Sequence, residues 1–136
     1  MRTSRLALEW VRRSGQAKLW AGWSEVSIPG YQVVPDALLW GLIGDNETLF
    51  WVEVQGGAKP KRTGIFLSRI DRRYRHASEY AQNRHVRLVF IVLGKDWVLH
   101  LLGNHLIPRF PTDAILLQNW LDFGKLPPIL PGKISL

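Results

Sequence analysis

Asp36 and Glu53 stand seventeen positions apart on either side of a segment that reads as a β-hairpin. Gly44-Asp45-Asn46-Glu47 is a turn signal, and Thr48 to Gln55 is β-branched and aromatic. With the turn centred between Asp45 and Asn46, facing residues have numbers summing to 91, so Asp36 faces Gln55 and Leu38 faces Glu53. Facing residues share a side of the sheet, as do residues two apart along a strand. Asp36, Glu53 and Gln55 therefore converge at the open end of the hairpin. Two carboxylates ending an apolar ladder cost burial energy unless something compensates them. A divalent cation would: Asp36, Glu53, the backbone carbonyl of Val54 and water make an oxygen set suited to Mg²⁺. The same carboxylates would also be satisfied by reaching solvent at the sheet edge, or by pairing with arginines of the following helix.

Other chemistries find less support. With no cysteine, disulfide scaffolds, thiolate zinc sites and cysteine nucleophiles are excluded. His76, His85, His100 and His105 lack zinc-site spacing, and His100 and His105 read as hydrogen-bonded structural groups. Ser24, Ser68 and Ser78 have no nucleophile-elbow context. Gly56-Gly57 with Lys59 and Lys61 is not a P-loop, although paired glycines let backbone approach a phosphate. Of the seven tryptophans, Trp40 and Trp51 read as core or sheet contacts. Trp20 and Trp23, in a segment without clear periodicity, suit base stacking or a protein interface.

Charge narrows the partner. The chain carries a formal net charge of +7, with 18 basic and 11 acidic residues. Nine of the basic residues lie between Lys59 and Arg87, against Asp71 and Glu79 alone, so this stretch holds the whole excess. A concentrated positive field on a small domain favours nucleic acid, and arginine grips phosphate with two hydrogen bonds. Lys59, Lys61, Arg62, Arg69, Arg72, Arg73 and Arg75 are the candidate contacts. The competing reading is a solvated helix face that only aids solubility.

The elements must hold these groups in place. At 136 residues and 46% apolar, the chain is sized for one folded domain. Its longest apolar run, Leu88 to Leu93, is too short to span a bilayer, and Glu9 and Arg12 interrupt the basic start. A cytoplasmic protein is expected. The spacing predicts a helix over about 3–13, a short strand near 24–28, extended chain over 31–43, and a second hairpin strand over 48–55. It predicts a long helix over 64–83 with Phe66, Ile70, Tyr74, Ala77 and Ala81 inward, and Arg69, Arg72, Arg73 and Arg75 towards solvent. A buried strand over 86–93, a short helix over 96–102, a strand or helix over 114–121, and an irregular proline-rich tail over 124–136 follow. Leu38, Trp40, Leu42, Leu49 and Trp51 fall on one hairpin face, and Leu39, Ile43, Phe50, Val52 and Val54 on the other. Such a sheet must be covered twice, which predicts an α/β sandwich with a mixed sheet.

Val34-Pro35-Asp36 followed by Glu53-Val54-Gln55 resembles the bipartite signature of the PD-(D/E)XK nuclease superfamily. More narrowly, PDALLW, FWVEVQGG, the helix reaching Tyr80 and the late WLDFGKLP resemble the nuclease-like domain of the plasmid replication-relaxation family. The resemblance implies a restriction-endonuclease-like α/β/α sandwich with its core over about 1–122. It implies Mg²⁺ or Mn²⁺ held by Asp36, Glu53 and the Val54 carbonyl, and phosphodiester hydrolysis of plasmid or mobile-element DNA. The metal would polarise a phosphoryl oxygen and lower the pKa of a bound water. Glu9 resembles an extra acidic residue of some members and equally reads as a surface charge. Gln55 departs from the pattern, standing where the superfamily usually has lysine. Glutamine positions water but adds no charge, so Lys59, Lys61, Arg62 or Arg69 would have to supply the cation. Implied partners are DNA, a second copy of the chain, and a replication or mobilisation protein, with no membrane. Two further readings remain: a nuclease-like module that binds DNA without cutting, and a protein-interaction module using the tryptophans.

Overall fold

In the computed structural model, residues 17–24, 34–55, 59–106, 108–110 and 115–119 are described. They form an α/β fold: β1 (Ala17–Ser24), β2 (Ala37–Ile43), β3 (Asn46–Gln55), α1 (Thr63–Asn83), β4 (Arg87–Gly94), α2 (Asp96–Leu106) and β5 (Ile115–Asn119). One sheet contains all five strands in sequence order. The β1–β2 and β2–β3 pairs are antiparallel, and the β3–β4 and β4–β5 pairs are parallel. The helix predicted over 3–13, Gly56-Gly57 and the tail over 124–136 lie outside the described residues. No described helix is long and apolar enough to cross a membrane.

Side-chain alternation gives the sheet two buried faces. Leu38, Leu49, Trp51, Leu88, Phe90 and Val92 form one face, packed against Phe66, Ile70, Tyr74, Ala77 and Tyr80 of α1 and Val98, Leu102 and Leu106 of α2. Leu39, Ile43, Phe50, Val52, Val89, Ile91 and Leu93 form the other, all at most 6% exposed. The hairpin faces therefore divide as the alternation predicts. Each large apolar side chain buried this way contributes about 1.5–3 kcal/mol.

Several boundaries move. A strand not expected from the spacing runs over Ala17–Ser24, so Trp20 and Trp23 lie in a strand and not in irregular chain, whereas the segment predicted as a strand near 24–28 lies, beyond Ser24, outside the described residues. The helix predicted over 96–102 runs on to Leu106, and the ambiguous segment after it is strand β5. The hairpin turn consists of Gly44 and Asp45, so facing residues sum to 89, as in Leu38 with Trp51 and Ile43 with Asn46. Gly44 takes φ +60° at the first turn position, the sign that a type II′ turn requires and that glycine alone adopts without strain. The correction is two in the sum and leaves every side chain on its predicted face. It moves the site, however: continued one step, the register sets Asp36 across from Glu53 instead of Gln55.

Candidate functional site

The site is built where β2 begins and β3 nears its end. Asp36, just ahead of β2, donates its backbone N–H to the Val52 carbonyl at 3.0 Å. Its Oδ2 accepts the Val54 backbone N–H at 2.7 Å, so the carboxylate is tied across to β3. Glu53 follows Leu49 and Trp51 on the face covered by the helices, and is 1% exposed. Its Oε1 accepts from Trp51 Nε1 at 2.9 Å. Arg73 of α1 donates through Nη1 to Oε1 at 2.9 Å and to Oε2 at 3.1 Å, and also approaches the Val34 carbonyl at 3.3 Å.

Arg73 is the residue that the spacing reading misplaces. It does not point to solvent with Arg69, Arg72 and Arg75, which are exposed; its side chain is 26% exposed and forms an ion pair with Glu53. The signal lay in Tyr80, which is buried and stands seven residues on, two turns along the same edge of the apolar stripe. Of the compensations open to the carboxylates, Glu53 takes the one from an arginine of the following helix.

Burial pushes the Glu53 carboxyl up to about 7. The neighbouring Asp36 charge adds to that shift, while the Trp51 hydrogen bond and Arg73 oppose it. Desolvation thus outweighs the ion pair.

The other predicted site residues stand apart. Gln55 is half-buried beside Gly94 of β4, and Lys59 is exposed ahead of α1. Among the described residues, neither makes a hydrogen bond or ion pair to Asp36 or Glu53. Nor do the described residues contain a group of three or more His, Asp or Glu placed to hold a metal ion. The Val54 backbone enters the site through its N–H, which binds Asp36. A dication bound by Glu53 would meet the guanidinium that already contacts both its oxygens, and at a separation of about 4 Å the two would repel by about 2 kcal/mol even at the dielectric of water. With Arg73 in place, the donor set does not fit Mg²⁺.

The basic groups lie along the start and outer side of α1. Lys59, Lys61, Arg62, Arg69, Arg72 and Arg75 are all exposed. The first turn of α1 holds no acidic residue, and no side chain caps its N-terminus. On the outer side, a groove of about 450 Å³ is lined by Ser68, Asp71, Arg72, Arg75, His76 and Glu79. Asp71 is answered there by His105 Nε2 at 2.9 Å and Arg109 Nη1 at 3.0 Å. His105 is thus a hydrogen-bonded group at the contact between the two helices, as its position near apolar residues predicted. Nothing in the spacing singles out Asp71, because its partners stand more than thirty positions away.

Comparison with protein-family models, with curated proteins and with solved structures finds no match to this chain.

Proposed function

We propose that this chain is a DNA-binding domain of restriction-endonuclease-like α/β/α architecture, which grips the phosphate backbone and does not cut it. The observation that carries the reading is the set of exposed basic groups from Lys59 to Arg75, gathered at the head and outer side of one helix. Helix N-terminal N–H groups and the positive end of the helix dipole attract phosphate, and exposed Lys59, Lys61 and Arg62 immediately precede that end. Asp71, which lines the groove on this side, is hydrogen-bonded by His105 and ion-paired with Arg109, which offsets its negative charge. The finer architecture is supported by the β2–β3 hairpin, the parallel β3–β4–β5 set and the burial of both sheet faces. Two departures argue against cleavage: Gln55 in the lysine position, and Arg73 on the buried carboxylate.

A second reading, a Mg²⁺- or Mn²⁺-dependent deoxyribonuclease acting on plasmid or mobile-element DNA, is favoured by the strand register that sets Asp36 across from Glu53. It requires Arg73 to leave the pair. Duplex binding measured with metal chelated, followed by incubation of the same DNA with Mg²⁺ or Mn²⁺, separates the two. The proposed function expects binding that weakens about a thousandfold between 50 and 200 mM salt, as for roughly six neutralised phosphates, and intact DNA afterwards. Cleavage that disappears in Asp36→Ala would establish the second reading. Binding indifferent to salt would remove DNA from both.

A further inference from the structure

We propose that the Arg73 guanidinium, held by Glu53 beside Asp36, is the resident cation of this site, filling the place that a divalent metal would otherwise take. A single nitrogen, Nη1, meets both oxygens of Glu53 and the carbonyl of Val34 on the opposite side of the hairpin mouth. These are hard oxygen ligands from both sides of the hairpin, the kind a magnesium-sized ion would need. Trp51 Nε1–H also points at Glu53 Oε1, and the Val54 N–H at Asp36 Oδ2. Glu53 therefore has donors on both oxygens and Asp36 on one, before any metal arrives. The arrangement does not come from a surface arginine that happens to reach inward. Arg73 sits on the same edge of α1 as buried Tyr80, and its side chain is largely covered. An open metal site would expose its carboxylate to water, whereas Glu53 is 1% exposed. The consequence is a metal-independent site, whose cation arrives with folding and is fixed at one positive charge.

The test uses the full chain without DNA, so its outcome and that of the DNA-binding reading are separable. Mn²⁺ is titrated against wild type, with free Mn²⁺ followed by its paramagnetic resonance and thermal unfolding compared at matched ionic strength. Wild type is expected to bind no Mn²⁺ at this pair and to unfold at an unchanged temperature. Arg73→Ala is expected to bind one Mn²⁺ at least about thirtyfold more tightly than wild type, the value of removing one positive charge about 4 Å from a dication at the dielectric of water. That binding should vanish again in the Asp36→Asn, Arg73→Ala double variant. Should Arg73→Ala not fold, Arg73→Gln keeps the packing of the side-chain stem and is read by the same criteria. A Mn²⁺ site in wild type that depends on Asp36 overturns the proposal, as does an Arg73 variant that folds and binds Mn²⁺ no better than wild type.

Discussion

Glu53 carries a carboxyl in a place almost closed to water, with Arg73 and Trp51 as partners, and burial still holds its pKa near 7 against an ordinary 4.5. For an acid whose folded-state pKa is raised, the proton is held more tightly in the folded chain than in the unfolded one. Stability from this group is then complete below about pH 4.5, falls as pH rises through the interval, and is fully lost above about 7. The size of the loss is of order 3 kcal/mol. Glu53→Gln keeps an oxygen for the Trp51 N–H but cannot ionise. Urea unfolding of both proteins across this pH range should show wild type losing about that much relative to the variant. Parallel pH profiles would mean that Arg73 compensates burial in full. Convergence of Asp36 and Glu53 could be read from strand parity alone, since an error of two in the register changes no face. The third member could not: Arg73 reaches the pair only through the packing of α1 on the sheet, which periodicity describes by its central stripe and leaves vague at the edges.

Local strain and close approach fix how the elements join. After α1 the chain reverses through His85 at φ 55°, with the His85 N–H on the Gln82 carbonyl and the Val86 N–H on the Ala81 carbonyl. This is a Schellman ending that carries histidine where glycine is favoured. His85→Gly should raise stability by about 0.5–1 kcal/mol, read as a higher urea midpoint at unchanged slope; a lower midpoint would mean that the imidazole makes a compensating contact. Gly94, the last residue of β4, answers a different need. A Cβ there would lie 2.8 Å from Val98 Cβ and 2.9 Å from both its methyl carbons, and Val98 is fully buried. Gly94→Ala should cost about 1–3 kcal/mol as overpacking, and adding Val98→Ala should recover part of it. A loss that Val98→Ala fails to relieve would place the constraint in the backbone. The contrast explains what could be read in advance. Phe66, Ile70, Tyr74 and Ala77 announce α1, and Leu88 to Leu93 announces a strand buried on both faces, because in each a single period fits a single environment. The turn position depends on one glycine dihedral and the end of α2 on partners far along the chain, so the spacing sets the turn one residue late and ends α2 four residues early.

Across the whole molecule the question is which of the clustered basic residues act on a partner and which on the fold. Counting charge assigns all of them alike to a stretch that holds the entire excess of +7. The fold divides them. Arg73 is turned inward to Glu53, whereas Arg69, Arg72 and Arg75 are exposed along the outer part of α1. If the partner is DNA, only the exposed set releases counterions on binding, and each phosphate contact contributes about 0.9 to the slope of log affinity against log salt. Replacing Arg69, Arg72 and Arg75 together by glutamine should therefore lower that slope by up to about 2.7 and weaken binding equally for unrelated duplex sequences. Arg73→Gln should alter stability and metal response while leaving the slope at its wild-type value. Fluorescence anisotropy over a salt series measures both. Equal slopes for wild type and the triple variant would show that this face does not meet the phosphates. A slope reduced in Arg73→Gln would place that guanidinium on DNA and away from Glu53 in the bound state.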